Sequence, residues 1–341
     1  MVYSFNEDIF SNISDNDIDI LDKIWANSRE RHDLYIGDNR LYGIIKESSW
    51  YKGLRKSGKA HIDENLKSSI YLKKRDIQLL LSNDYDTSYT LIEADEILSK
   101  TFFLILENIE YDKFFFDCLV KNFKEESHKI RIHLERGWLI PINGNGNNIS
   151  NVLNEMQKRF NNNDSFPKHN SNYLRSFVII DSDKKYPSEE EIASDKIKLL
   201  NDIKMALSNS YHVMRKREME NYMPDEVFVE IKDNDPYIKS YLTLNTSQKD
   251  YIDVENGLQD KNIEQLEPTE LRLLYENLVN PSLNILRKNK LILLDESKKK
   301  LSFKQNFPKY FNSDKVNKFS LKKRANSDEL EEILNKISKL L

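Results

Sequence analysis

Three short apolar runs in this chain each lead into carboxylates. Thr101–Leu106 precedes Glu107, Ser176–Ile180 precedes Asp181-Ser182-Asp183, and Tyr211–Met214 precedes a cluster holding Glu218 and Glu220. Runs of this length, rich in β-branched and aromatic residues, read as buried strands. Helical stretches separate them, so the strands are expected to be parallel. In open parallel sheets, ligands sit beyond the carboxyl ends of the strands. Carboxylates gathered there form a hard oxygen-rich site suited to Mg²⁺ or Mn²⁺.

Each motif carries a plainer alternative. In an extended chain Asp181 and Asp183 point the same way, and a divalent cation would relieve their repulsion. The same residues also make an Asp-rich turn. Glu107 is a candidate ligand or a solvated strand end. In Arg215-Lys216-Arg217-Glu218-Met219-Glu220, the carboxylates could complete a metal site while Lys216 or Arg217 neutralises a phosphate. The alternative is a salt-bridged helix start. Gly144 and Gly146 precede a helix, where glycines let a backbone approach phosphate, although a plain turn needs the same residues. Glu110 and Asp112 read as charges opposing a helix macrodipole.

Other chemistries are disfavoured. The chain has 341 residues with a single cysteine, Cys118, in an apolar stretch, which excludes an intrachain disulfide and a cysteine zinc site. Its six histidines show no paired helical spacing. Gly53–Ala60 nearly spells a P-loop, but Ala60 stands where a hydroxyl must hold Mg²⁺, and no apolar strand precedes it. No apolar run approaches membrane-spanning length and no secretory leader is evident, so a cytoplasmic location is expected. Net charge is −4, yet Arg287–Arg324 holds 13 Lys or Arg against Asp295, Glu296 and Asp314. Lys298, Lys299, Lys300, Lys322, Lys323 and Arg324 are candidates for phosphate contact there. The interleaved Phe303, Phe307, Tyr310, Phe311 and Phe319 favour that reading or a small core.

These motifs need elements to position them. Residues 1–100 read as a helical region. One helix is capped by Asp15 or Asn16, a second covers Glu64–Leu81, and a third is capped by Asp86 or Thr87. Residues 101–225 alternate. A strand ends at Glu107, a helix runs Tyr111–Lys124, and a strand spans Ile130–Ile142. A helix then runs from 148 or 149 to Phe160, a strand ends at Asp181, a helix capped by Ser188 reaches Leu207, and a strand starts near Tyr211. Residues 226–341 read as mostly helical, with helices at Asp260–Leu278 and Asp328–Leu341. The latter shows one apolar face of Leu330, Ile333, Leu334, Ile337 and Leu340. The class is therefore α/β: a parallel four-stranded sheet flanked by helices, between a helical N-terminal region and a basic C-terminal one.

In order and spacing, residues 101–225 resemble the Toprim domain of OLD-family and related defence-associated nucleases. Leu104-Ile105-Leu106-Glu107-Asn108 looks like its first element and Pro141–Gly146 like its glycine loop. Val178–Asp183 looks like its Asp-x-Asp strand end, and Lys216–Tyr222 like its later acidic segment. Tyr251–Leu258 is a weaker match to a further element. Asn108 departs from the glycine usual after the glutamate, and Asp112 falls one place later than the family's aspartate.

The resemblance implies a Mg²⁺- or Mn²⁺-dependent nuclease of DNA or RNA, an effector in prokaryotic antiphage defence. Glu107, Asp181, Asp183 and Glu220 would hold metal, with Glu218 or Glu220 as a base and Lys216 or Arg217 on the phosphate. It also implies a partner ATPase, since this chain has no ATP site of its own. Residues 1–100 would serve docking or homodimerisation. The alternative is a non-catalytic Toprim scaffold, or a nucleic-acid-binding subunit of an ATPase-containing complex. A phosphoesterase of small molecules is a weaker third. Primase and topoisomerase roles are disfavoured by the missing zinc ribbon and the short chain.

Overall fold

The computed structural model describes residues 1–84, 87–259, 261–278 and 280–341, with the backbone alone at 147. Its centre is a four-stranded sheet built from Phe102–Leu106 (β4), Leu139–Asn143 (β5), Ser176–Ile180 (β6) and Tyr211–Val213 (β7). The spatial order is β5-β4-β6-β7 and every pairing is parallel. Leu106 pairs with Asn143 on one side and Ile179 on the other, which brings the carboxyl ends of β4, β5 and β6 level.

Both faces of the sheet are covered, so its strands are almost wholly apolar. Phe102, Leu104, Leu106, Phe177 and Ile179 face a core shared with helix Ile109–Asn122 and with much of residues 214–341. Ile105, Val178 and Ile180 face helices Ile149–Gln157 and Ile197–Leu207. The core on the first face passes without a break from the sheet into the C-terminal region. There Phe303, Phe307 and Phe311 are buried and Tyr310 is partly so, which fits the core reading of those aromatics; Phe319 is exposed. Cys118 is buried, and burial pushes its thiol up to about 12.

Residues 1–100 are not simply helical. Val2–Phe5 (β1), Asp33–Leu34 (β2) and Leu79–Leu81 (β3) form a second parallel sheet of order β2-β1-β3. Tyr3 and Phe5 join Trp25, Trp50, Leu79 and Leu81 in one core, which Phe160 and Tyr173 also enter. These strands are two to four residues long, too short for an alternation to stand out. The helix placed over Glu64–Leu81 is instead Lys56–Ser68, and the apolar end of that stretch is β3. Helix Asp15–Ser28 begins at a Ser14 capping box closed by Asp17. Helix Leu91–Ser99 is capped by Thr90 with Glu93, not by Thr87, and residue 86 lies outside the described residues.

Three further boundaries differ. The span Ile130–Ile142 divides into helix His128–Glu135 and β5, with Gly137 at φ +69° between them. Ile130 and His133 lie one helical turn apart and are both buried, a helical period masked by the Ile130-Arg131-Ile132-His133-Leu134 alternation. No helix starts at Ser188: residues 181–193 form a loop pinned by the Ala193 N–H donating to the Ser182 carbonyl at 2.8 Å, and the long helix begins at Ile197. In the region assigned to Asp260–Leu278, residue 260 lies outside the described residues. A short turn at Ile263–Gln265 and helix Thr269–Tyr275 follow it. Helix Glu329–Leu340 is present with its apolar face buried. Among the described residues, no helix is long and apolar enough to cross a membrane.

Candidate functional site

At the carboxyl end of β4 and β6 lies a cavity of about 360 Å³. Its walls carry Glu107, Asp112, Asp181, Asp183, Glu218, Glu220, Asp253 and Glu255, with Lys304 as the cation among the lining residues. Gly146, Asn108 and Tyr111 complete the near rim.

Each acid is aimed by its own segment. Glu107 follows β4, and its Oε2 accepts from the Asp181 N–H at 3.2 Å, which ties two strand ends together. Asn108 is extended (φ −138°) and caps helix Ile109–Asn122, its side chain accepting from Glu110 N–H at 3.1 Å. Asparagine here therefore does the work of an N-cap, and no left-handed glycine is required. Asp112 reaches back to accept from the Asn108 N–H at 2.6 Å. The residue read as a dipole charge is thus part of the cavity wall.

Asp181 Oδ1 accepts from the Met219 N–H at 2.9 Å, joining the Asp181 turn to the Glu218–Glu220 segment. Asp183 does not reach the site by strand alternation. Strand β6 ends at Ile180, Asp183 is left-handed (φ +53°), and its N–H donates to the Arg217 carbonyl at 2.8 Å. Ser182 does face inward, donating to the Lys216 carbonyl at 2.7 Å. Glu218 caps the short turn Met219–Tyr222. The Asn221 amide donates to the carbonyls of Lys249 and Ile252 at 2.8 and 2.9 Å. That contact draws in the loop bearing Asp253 and Glu255.

Crowded, buried carboxylates resist ionisation. Burial, and then the Glu107 charge, push Asp112 up to about 7. Burial and then Glu218 push Glu220 up to about 8. Glu218 rises to about 6 through burial, with Arg217 opposing. Asp181, fully enclosed, stands well above the usual carboxylate range through burial and the charges of Glu107, Asp112 and Glu220.

One ammonium enters this group from behind. Lys196, only 8% exposed, sits 2.7 Å from Glu107 Oε1 and 2.6 Å from Asp183 Oδ2. Burial works against its charge. Glu107, Asp183 and Asp181 outweigh that, so its pKa stands above the ordinary lysine value. Among the described residues, no three acids or imidazoles are grouped so as to hold a metal ion as they stand. Lys196 occupies the gap between two of the expected ligands.

The structure thus brings together Glu107, Asp181, Asp183, Glu218, Glu220 and Gly146. It does not bring Lys216 there. That ammonium is buried, ion-paired with Asp250 and held over the Tyr222 ring, and burial with the neighbouring Arg324 pushes it down to about 8. Arg324 is equally unavailable to phosphate, with Nη1 on Asp250 at 2.5 Å and its side chain 6% exposed. Gly144 is buried rather than presented: a Cβ would fall 2.9 Å from the Leu106 carbonyl oxygen and 2.5 Å from Ile149 Cγ1. Lys322 pairs with Glu331 and Lys323 with Glu226. Lys298, Lys299 and Lys300 are exposed around a hairpin between Leu293–Leu294 (β8) and Lys300–Leu301 (β9), outside the cavity. Arg217 stands at its edge, 3.5 Å from Asp253 and 3.8 Å from Glu218.

Five residues at the site were given no site role from the sequence: Asp112, read there as a helix-dipole charge, Lys196, Lys304, Asp253 and Glu255. Lys304 belongs to the basic tract, and Asp253-x-Glu255 lies in the Tyr251–Leu258 segment, so both had a weak signal. Lys196 had none. Compared with family models, curated proteins and solved structures, the chain matches none of them.

Proposed function

We propose that this chain is a divalent-cation-dependent phosphodiesterase acting on DNA or RNA. One observation carries the reading: eight carboxylates from separate segments line one cavity at the carboxyl ends of parallel strands. The donors are all oxygen, and enclosure and mutual repulsion raise the pKa of several. A small hard dication fits such a set. Glu107, Asp181, Asp183 and Glu220 would hold Mg²⁺ or Mn²⁺. The ion would polarise a phosphoryl oxygen and lower the pKa of a bound water.

The chain's own groups then have distinct tasks. Glu218, near 6, is suited to accept a proton from water at neutral pH. Asp112, near 7, is suited to hold a proton and return it to the leaving oxygen. Lys304 and Arg217, at the cavity and its edge, offset the charge of a phosphodiester. Lys298–Lys300 extend the basic surface available to a longer strand. The wider role, an antiphage effector working beside an ATPase, rests on the Toprim resemblance alone.

The test is incubation of pure protein with plasmid, linear DNA and RNA across Mg²⁺, Mn²⁺ and EDTA. Metal-dependent cleavage is expected, lost in Asp181→Ala with the circular dichroism spectrum unchanged. Full activity in that variant would sink the assignment. The scaffold reading is favoured by Lys196, which already satisfies Glu107 and Asp183. It predicts nucleic-acid binding without cleavage under every metal.

A further inference from the structure

We infer that the Lys196 ammonium is the resident counter-ion of the acidic cavity, and that a divalent cation must expel it to reach Glu107 and Asp183. This deepens the cation-site reading above and rests on it. The Lys196 nitrogen lies 2.7 and 3.0 Å from the two Glu107 carboxylate oxygens and 2.6 Å from Asp183 Oδ2. Mg²⁺ bound by the same carboxylates needs oxygens at about 2.0–2.1 Å. Both cations cannot occupy one gap, and their charges repel.

The loop is built to present this lysine. Asp183 and Lys196 lie near the two ends of one segment, which the Ala193 N–H to Ser182 carbonyl bond closes into a compact unit. Lys196 then ends the short turn Ser194–Lys196 where helix Ile197–Leu207 begins. Glu107 comes from a different strand, so the ammonium bridges β4 to the β6 loop. It neutralises carboxylates that would otherwise repel in the metal-free protein.

Two consequences follow for the site. Its geometry is kept in the absence of metal. Its affinity is set by competition, so a monovalent ion, which replaces one unit charge by another without a tether, gains nothing by entering. A divalent ion does gain.

Calorimetric titration of Mn²⁺ into wild type, Lys196→Met and Lys196→Arg tests this. Lys196→Met is expected to bind Mn²⁺ about tenfold tighter or more, because a unit charge within 3 Å of the ligands is removed. Lys196→Arg is expected to stay within a few-fold of wild type. Equal or weaker binding by Lys196→Met, while wild type binds, overturns the counter-ion role and leaves the cation site standing. No Mn²⁺ binding by wild type overturns the cation reading itself and expulsion with it.

A second measurement needs no variant. Acetylation of Lys196 by an amine-reactive ester, followed by peptide mass spectrometry, is expected to be slow without metal and several-fold faster with Mn²⁺. A rate that is unchanged or slower with Mn²⁺ bound overturns the inference.

Discussion

If the cavity takes a dication, binding must release protons, and the number can be worked from the acids that line it. At pH 7, Glu220 near 8 is about nine-tenths protonated and Asp112 near 7 is about half protonated. Asp181, well above the usual range, adds to this. Ligands must be ionised to coordinate, so Mn²⁺ should displace about one proton from Glu220, with Asp181 adding to the count, while Asp112, which is not a ligand, keeps the proton it donates. The sign is fixed: raised carboxylate values mean the metal-free form holds the extra protons, so higher pH favours binding. Each proton released adds about 1.4 kcal/mol of binding free energy per pH unit. Affinity should therefore rise roughly tenfold or more from pH 6.5 to 7.5. Calorimetry in buffers of different ionisation enthalpy reads the proton count directly. Glu220→Gln should lower it by about one and flatten the pH slope. A count of zero, or an affinity flat or falling with pH, would refute the electrostatic account of the cavity.

Two stability measurements probe the frame around the site. Asp250 is the shared partner of buried Lys216 and Arg324, so Asp250→Ala leaves two cations unpaired. Urea unfolding should show a loss of about 3–5 kcal/mol, whereas a loss under 1 kcal/mol would mean the pair is solvated. Gly144→Ala drives a methyl against the Leu106 carbonyl and Ile149, and should cost about 1–3 kcal/mol by the same assay.

Strands β4 and β6 were legible because they are enclosed on both faces, which writes them as unbroken apolar runs ended by acids, whereas the edge strand β5, with Ile140 exposed, was merged with the helix before it. The smaller N-terminal sheet was not, since two- to four-residue strands carry no period to read. The acids at strand ends were legible by type and position. Lys216 was misdirected for a physical reason: a charged residue beside two acids reads as solvated or catalytic, while its true partner, Asp250, lies 34 residues further on. Asp112 was discounted because a carboxylate in a first helical turn already has an adequate explanation. Lys196 is the extreme case. It is one lysine among many, and only the closure of the 181–196 loop onto β4 gives it meaning.

The acidic segment after β7 is secured from far along the chain. Glu329 accepts from the Arg215 N–H at 2.7 Å, lies 2.9 Å from His212 Nε2, and receives the Tyr222 hydroxyl. Ribosomes deliver residue 329 more than a hundred residues after residue 222. The segment bearing Glu218 and Glu220 therefore gains this clamp only once the C-terminal helix has been made and has packed. A chain cut before residue 329 would keep the strand-end acids Glu107 and Asp181 but lose the clamp on the segment bearing Glu218 and Glu220.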